Sequence, residues 1–205
     1  MQVLKDCIRE RIETSAIKLF KSDGFEKVSM RKIAEDAHMT VGNIYRYYDS
    51  KDHLFESILK PTLDEIIALL SEEITDQIID APDKNAEFVS RVISIFLEIH
   101  NKHSEVLDIL VYSCEGSSMG RPVEFVSNLL AERMRVLIDR YAQDNKLELD
   151  THFLSHMICE ALVDSFIKIL YKFEDNESRR VHMLKITQVY THLFISSLVM
   201  DRNEV

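Results

Sequence analysis

The sequence predicts an all-α protein, and three observations predict it. Only four glycines and three prolines punctuate 205 residues, too few for the turns a hairpin-rich fold needs. Apolar residues make up 46% of the chain and charged residues 29%, the balance of an ordinary globular protein with a packed core. The long stretches between breakers carry apolar residues at helical spacing.

The first helix is expected over about Val3 to Lys21. Ile8, Ile12, Ala16, Leu19 and Phe20 share one face, and Gly24 closes it in a left-handed conformation. Ser29 is a good N-cap for a short second helix whose inward stripe is Met30, Ile33, Ala34 and Ala37. That helix stops near His38. Thr40 is the next plausible N-cap, and a third helix follows from Val41 to Tyr47 or Tyr48 with Ile44 and Tyr48 inward. Asp49-Ser50 opens a fourth helix at Lys51, which runs toward Ile74 and should kink or break at Pro61. Asp80-Ala81-Pro82-Asp83 reads as a loop before a helix over about Asn85–Asn101. The segment Cys114–Arg121 precedes Pro122, a suitable first-turn residue for a helix reaching about Asp144. Two long helices, about Asp150–Phe173 and Glu177–Met200, finish the chain.

Charge and cysteine usage narrow the class. Residues 1–55 carry ten Lys/Arg and nine Asp/Glu, whereas residues 56–205 carry fifteen and twenty-six. The acidic balance therefore sits outside the N-terminal segment, leaving that segment free to approach a polyanion. Cys7, Cys114 and Cys159 form no close pair, which fits a reducing compartment. The first twenty residues are too charged for a signal peptide, and the longest uncharged run, Ile186–Met200, is too short and polar to span a bilayer. A cytoplasmic protein without a membrane partner is expected. No Gly-rich phosphate loop, GxSxG, HExxH or paired-cysteine motif is present, so no enzyme class is indicated and no cofactor is expected.

Two short helices joined by a tight turn and braced by a longer first helix make a helix-turn-helix. The residues that build it are Arg9-x-x-Ile12-x-x-Ser15-Ala16-x-x-Leu19-Phe20-x-x-x-Gly24-Phe25, then Ser29-x-Arg31-x-Ile33-Ala34, then Val41-Gly42-Asn43-Ile44-Tyr45-Arg46-Tyr47-Tyr48-x-Ser50-Lys51-x-x-Leu54. This ordered signature resembles the DNA-binding head of the TetR family of bacterial repressors. The resemblance covers residues 9–55. It departs at His38, where the family usually has glycine in the turn, and at Ser15, which replaces a common alanine. It implies an N-terminal helix-turn-helix domain over residues 1–50 and a larger helical ligand-binding and dimerisation domain over residues 51–205.

The head can be read chemically as well. With Ile44 inward, Gly42, Asn43, Tyr45 and Arg46 fall sideways or outward on the recognition helix, whose N-terminal residues would face base edges. Gly42 lets the helix backbone approach the groove. Val41 suits a thymine methyl, and Arg31 or Arg46 suits guanine. Thr40, Tyr45, Tyr47 and Lys51 offer hydroxyls or charge to phosphates, and Lys51 stands at a helix N-terminus that already favours an anion. Ser29 completes the candidate set. The resemblance implies that Arg31, Val41, Gly42, Tyr45 and Tyr47 lie in or near the bases and that Lys51 holds backbone.

The body carries weaker signals. Val189, Tyr190, Leu193, Phe194, Ile195, Leu198, Val199 and Met200 make the last helix apolar nearly all round, so a second copy of the chain is expected to cover one side. Phe96, His100, Tyr112, Phe125 and Phe166 are candidate walls of an effector pocket. His152, His156 and Cys159 share a helical face at metal-ligand spacing, yet no further ligand is nominated, and an ordinary polar stripe is the expected reading. The function expected is a DNA-binding regulator, a dimeric repressor on a palindromic operator, released by a small molecule. The alternative is a helix-turn-helix regulator controlled by a protein partner.

Overall fold

The computed structural model describes residues 2–72 and 85–200. Among them the chain forms eight helices and no strand: α1 (Gln2–Asp23), α2 (Met30–Asp36), α3 (Val41–Ile44), α4 (Lys51–Glu72), α5 (Asn85–Tyr112), α6 (Pro122–Asn145), α7 (Thr151–Lys172) and α8 (Asn176–Met200). The expected loop at Asp80–Asp83 lies outside the described residues. None of the described helices is long and apolar enough to cross a membrane.

Two compact units divide the chain, Met1–Ile66 with Lys102–Val123 and Ile67–Asn101 with Glu124–Val205. In the first unit, the α1 stripe of Ile12, Ala16, Leu19 and Phe20 is buried, as are Ile33, Ala34, Ile44, Leu54 and Phe55. Phe20, Phe25 and Phe55 form its aromatic centre, with ring centroids 5.9, 4.9 and 4.7 Å apart pairwise. Truncating such a buried ring typically costs about 3–5 kcal/mol. The Phe25 amide donates to the Ser113 carbonyl at 3.1 Å. The Ser118 amide donates to Asp52 at 2.9 Å, and its hydroxyl donates to Glu56 at 2.5 Å. Lys21 pairs with Asp108 at 2.6 Å. Glu65 accepts from Lys102 at 3.0 Å and meets the His103 ring at 2.8 Å; both contacts hold its carboxyl below the usual range. The head thus packs with the end of α5 and the loop after it.

One expectation about helices holds in part and two need revision. Pro61 does not break α4, which continues to Glu72. The Pro61 ring is exposed while Ile58, Leu59, Thr62 and Leu63 around it are buried, so packing on one face outweighs one missing backbone bond. α5 does not stop at Asn101 but reaches Tyr112, interrupted by non-helical backbone at His103 (φ −129°, ψ 29°). The recognition helix is shorter than expected: after Ile44 the chain continues as tight turns through Tyr47.

In the second unit, three residues join α7 to α8, so the two helices pack as a hairpin. Asp150 caps α7 by accepting from the Phe153 amide at 3.0 Å. Ser155, Cys159, Val163, Phe166 and Leu170 form its buried stripe. Phe166 and Leu170 close a core with Ile93, Leu97 and Met183. At the hairpin turn, Phe173 stacks on His182 at 4.0 Å, and Arg179 Nε donates to the Phe173 carbonyl at 2.8 Å.

Candidate nucleic-acid interface

Ser29 has extended backbone (φ −120°, ψ 154°), and its hydroxyl accepts from the Lys32 amide at 3.2 Å. That cap fixes the start of α2, burying Met30, Ile33 and Ala34 and turning Arg31 outward. Arg31 is 82% exposed at its side chain, and its Nε lies 3.1 Å from Glu35. The chain leaves α2 through Ala37 and enters the left-handed region at His38 (φ 52°). Thr40 then occupies the N-cap position of α3 but makes no side-chain cap bond.

α3 and the turn after it are oriented by two buried side chains four residues apart, Ile44 at 0% and Tyr48 at 4% exposure. The Tyr48 hydroxyl donates to Glu13 on α1 at 2.5 Å, and burial together with that carboxylate holds the phenol above its usual range. With those two inward, Thr40, Gly42, Tyr45 and Arg46 are exposed, and Val41, Asn43 and Tyr47 are half-buried. A Cβ at Gly42 would meet nothing within 4 Å. None of the ten candidate DNA-binding residues is buried, and they lie at the N-cap of α2 and on α2, in the turn after it, on α3 and the turns that follow, and at the start of α4.

Lys51 carries more than a surface charge. Its Nζ donates to the Phe25 carbonyl at 2.8 Å and sits 3.9 Å above the Phe25 ring. The ammonium therefore braces the turn after α1, a contact without any signal in the spacing. The start of α4 is also capped: the Ser50 hydroxyl accepts from the His53 amide at 3.0 Å. Other head lysines are neutralised locally, Lys18 by Asp36 at 2.6 Å and Lys32 by Asp23, and both carboxyls are held below their usual range by those lysines.

Of the five candidate effector residues, Phe96, His100, Phe125 and Phe166 lie in the second unit and Tyr112 in the first. Phe96 and Phe166 meet edge to face at 5.5 Å in the core of the second unit. His100 lies beside Tyr171 at 6.3 Å. Tyr112 belongs to the first unit and is 66% exposed, and Phe125 is 52% exposed. Cys159 separates from His152 and His156: it is fully buried, and burial pushes its thiol up to about 12.

Residues 12–58 match the sequence profile of the bacterial regulatory proteins of the tetR family. The chain therefore carries, over those residues, the sequence of a TetR-family DNA-binding head. It is 26% identical over 154 residues to the HTH-type transcriptional regulator SAR2658 of Staphylococcus aureus, covering 75% of this chain and 77% of that protein. It is 41% identical over 58 residues to the transcriptional repressor KstR of Rhodococcus jostii, covering 28% of this chain and 27% of KstR. The likeness to KstR is thus confined to about a quarter of that repressor's length. Among solved structures, the transcriptional regulator FadR of Bacillus subtilis in complex with stearoyl-CoA superposes with a TM-score of 0.56 at 17% identity, covering 86% of this chain and 96% of FadR. The TetR-family head is the DNA-binding module of a transcriptional regulator.

Proposed function

We propose that the protein is a repressor that binds a palindromic operator as a homodimer and is released by a small-molecule effector. Residues 1–50 form the DNA-binding domain and residues 51–205 the regulatory one. The observation that carries the reading is the one-sidedness of α2, the turn and α3. Met30, Ile33, Ala34, Ala37 and Ile44 are buried in the head, while Arg31, Thr40, Gly42, Tyr45 and Arg46 face solvent. Open space beside Gly42 suits a backbone that lies close to a groove. Arg31 and the start of α3 read bases, while Tyr45, Tyr47 and Lys51 hold phosphates.

A homodimer through α7 and α8 is supported by large apolar side chains left exposed on both helices: Phe153, Met157 and Tyr171 on α7, and Val189 on α8. The side chains of residues 191–200, which carry the expected two-sided stripe with Leu193 and Leu198, lie outside the described residues. A small-molecule effector is supported by the likeness of the fold to FadR, whose structure holds stearoyl-CoA.

Operator selection from random duplex DNA with the purified full-length protein tests the proposal, with light scattering on the same sample. An inverted repeat bound by a dimer, its half-sites about 34–36 Å apart or a multiple of that, is the expected result. A monomer in solution that selects no symmetric sequence would overturn it.

A further inference from the structure

Away from the DNA-binding head, α6 and α7 bring together two imidazoles and a carboxylate. His152 and His156 stand one turn apart on α7, with ring centroids 4.5 Å apart. Glu132 on α6 reaches both: its Oε1 lies 3.5 Å from His156 Nε2 and 3.8 Å from His152 Nε2. One ligand atom from each of the three lies within 4.8 Å of the other two. Around a tetrahedral zinc ion with bonds of about 2.0–2.1 Å, neighbouring ligand atoms stand about 3.3 Å apart. The two measured separations approach that edge, and exposed side chains need move only slightly to reach it.

The surrounding residues orient the three as ligands. Asn128 Oδ1 can only accept, so at 3.1 Å it accepts a hydrogen bond from His156 Nδ1–H, and in the neutral ring the Nε2 lone pair is directed at Glu132. In neutral His156, a lone pair then faces a carboxylate oxygen, an arrangement that a cation between them resolves. Arg135 holds the other oxygen of Glu132 at 3.2 Å, leaving Oε1 as a single donor. His152 and Glu132 are 62% and 46% exposed at their side chains, so water has access to the remaining coordination position. Cys159 contributes nothing, since it turns inward with the buried stripe of α7.

We propose that Glu132, His152 and His156 form a binding site for a first-row divalent cation, with zinc the ion it takes. Two imidazoles and a carboxylate suit zinc, and the absence of a thiolate argues against a site for soft Cu(I). The site lies within one packed unit and is independent of the DNA-binding reading.

Zinc titration of the full-length protein against a chromophoric chelator tests it, in a Cys7→Ser background that removes the exposed thiol. One zinc ion per chain is expected. His152→Ala and His156→Ala should each weaken binding at least about tenfold, and Asn128→Ala about 10- to 100-fold through the loss of its orienting bond. His53→Ala, in the other unit, should leave binding unchanged. Zinc should also raise the melting temperature of the parent protein and not that of His152→Ala, a change of an exposed side chain that leaves the fold intact. Absence of saturable binding, or equal zinc affinity in the parent and in His152→Ala, would overturn the proposal.

Discussion

The Tyr48 hydroxyl donates to the carboxylate of Glu13, 35 positions earlier, at 2.5 Å. This bond fastens the segment after α3 to α1 and thereby sets which residues of α3 face outward. Tyr48→Phe should lower stability by about 1.5–3 kcal/mol, the usual worth of a hydrogen bond to a charged group, read as a shifted urea midpoint. The phenol is raised above its ordinary 10.0 in the folded state. Its contribution is complete below pH 10 and is lost as pH rises toward the folded-state value, because there the unfolded chain releases the proton first. The alkaline loss of stability should therefore be shallower in Tyr48→Phe, and an unchanged profile would contradict the assignment.

Gly42→Ala separates folding from function. A methyl group there meets nothing in the chain, and alanine favours a helix over glycine by about 0.5–1 kcal/mol. Thermal stability should hold or rise while operator affinity falls, because the new methyl enters the space assigned to DNA. Unchanged affinity would remove Gly42 from the interface.

Arg31 and Lys51 should differ in kind. Arg31→Ala is expected to lose about 1–3 kcal/mol chiefly on the preferred site, narrowing the gap to random DNA. Lys51→Met should weaken both DNAs alike and reduce the salt slope by about one unit. It should also lower the melting temperature, since the ammonium is bonded to the Phe25 carbonyl and lies over its ring. Salt titrations beside thermal melts of each variant distinguish the roles; equal losses on both DNAs for Arg31→Ala would make it a positioning residue.

Gly116 is expected to resist substitution. Its φ is +78°, and an added Cβ would stand 2.6 Å from Glu26 Cγ. Gly116→Ala should cost about 1–2 kcal/mol from the backbone alone. Adding Glu26→Ala should relieve the crowding and leave the backbone cost, so a double variant as stable as the parent would contradict this division.

What the sequence revealed was local. The α1 stripe, the Ser29 cap and the inward pair Ile44 and Tyr48 follow from spacing of a few residues, and the structure buries the stripe from Ile12 to Phe20 and that pair and shows the cap. What it concealed depends on helices meeting. Glu13 and Tyr48 lie on different elements, and nothing in either neighbourhood marks them as partners. Glu132 lies 20 residues before His152, and only the packing of α6 on α7 makes it a third ligand beside the histidine pair. Its spacing to Arg135 and Asn128, all within two turns of α6, was the one available signal. Pro61 and His103 misled in opposite directions: a breaker residue inside a helix held by buried neighbours, and an ordinary residue where α5 departs from helical geometry.

The first compact unit takes in Lys102–Val123 as well as the N-terminal segment. The compact unit that holds the proposed DNA-binding domain is therefore not a contiguous cassette. A chimeric regulator made by grafting residues 1–50 onto a foreign body would lose Ser113 as acceptor for the Phe25 amide and Asp108 as counter-ion for Lys21. The first four residues of α4, with the loop contact at Asp52, would be lost with them. A transplant that retains operator affinity has to carry two separate stretches of chain, or a recipient whose own residues at those places supply the same acceptors and charges.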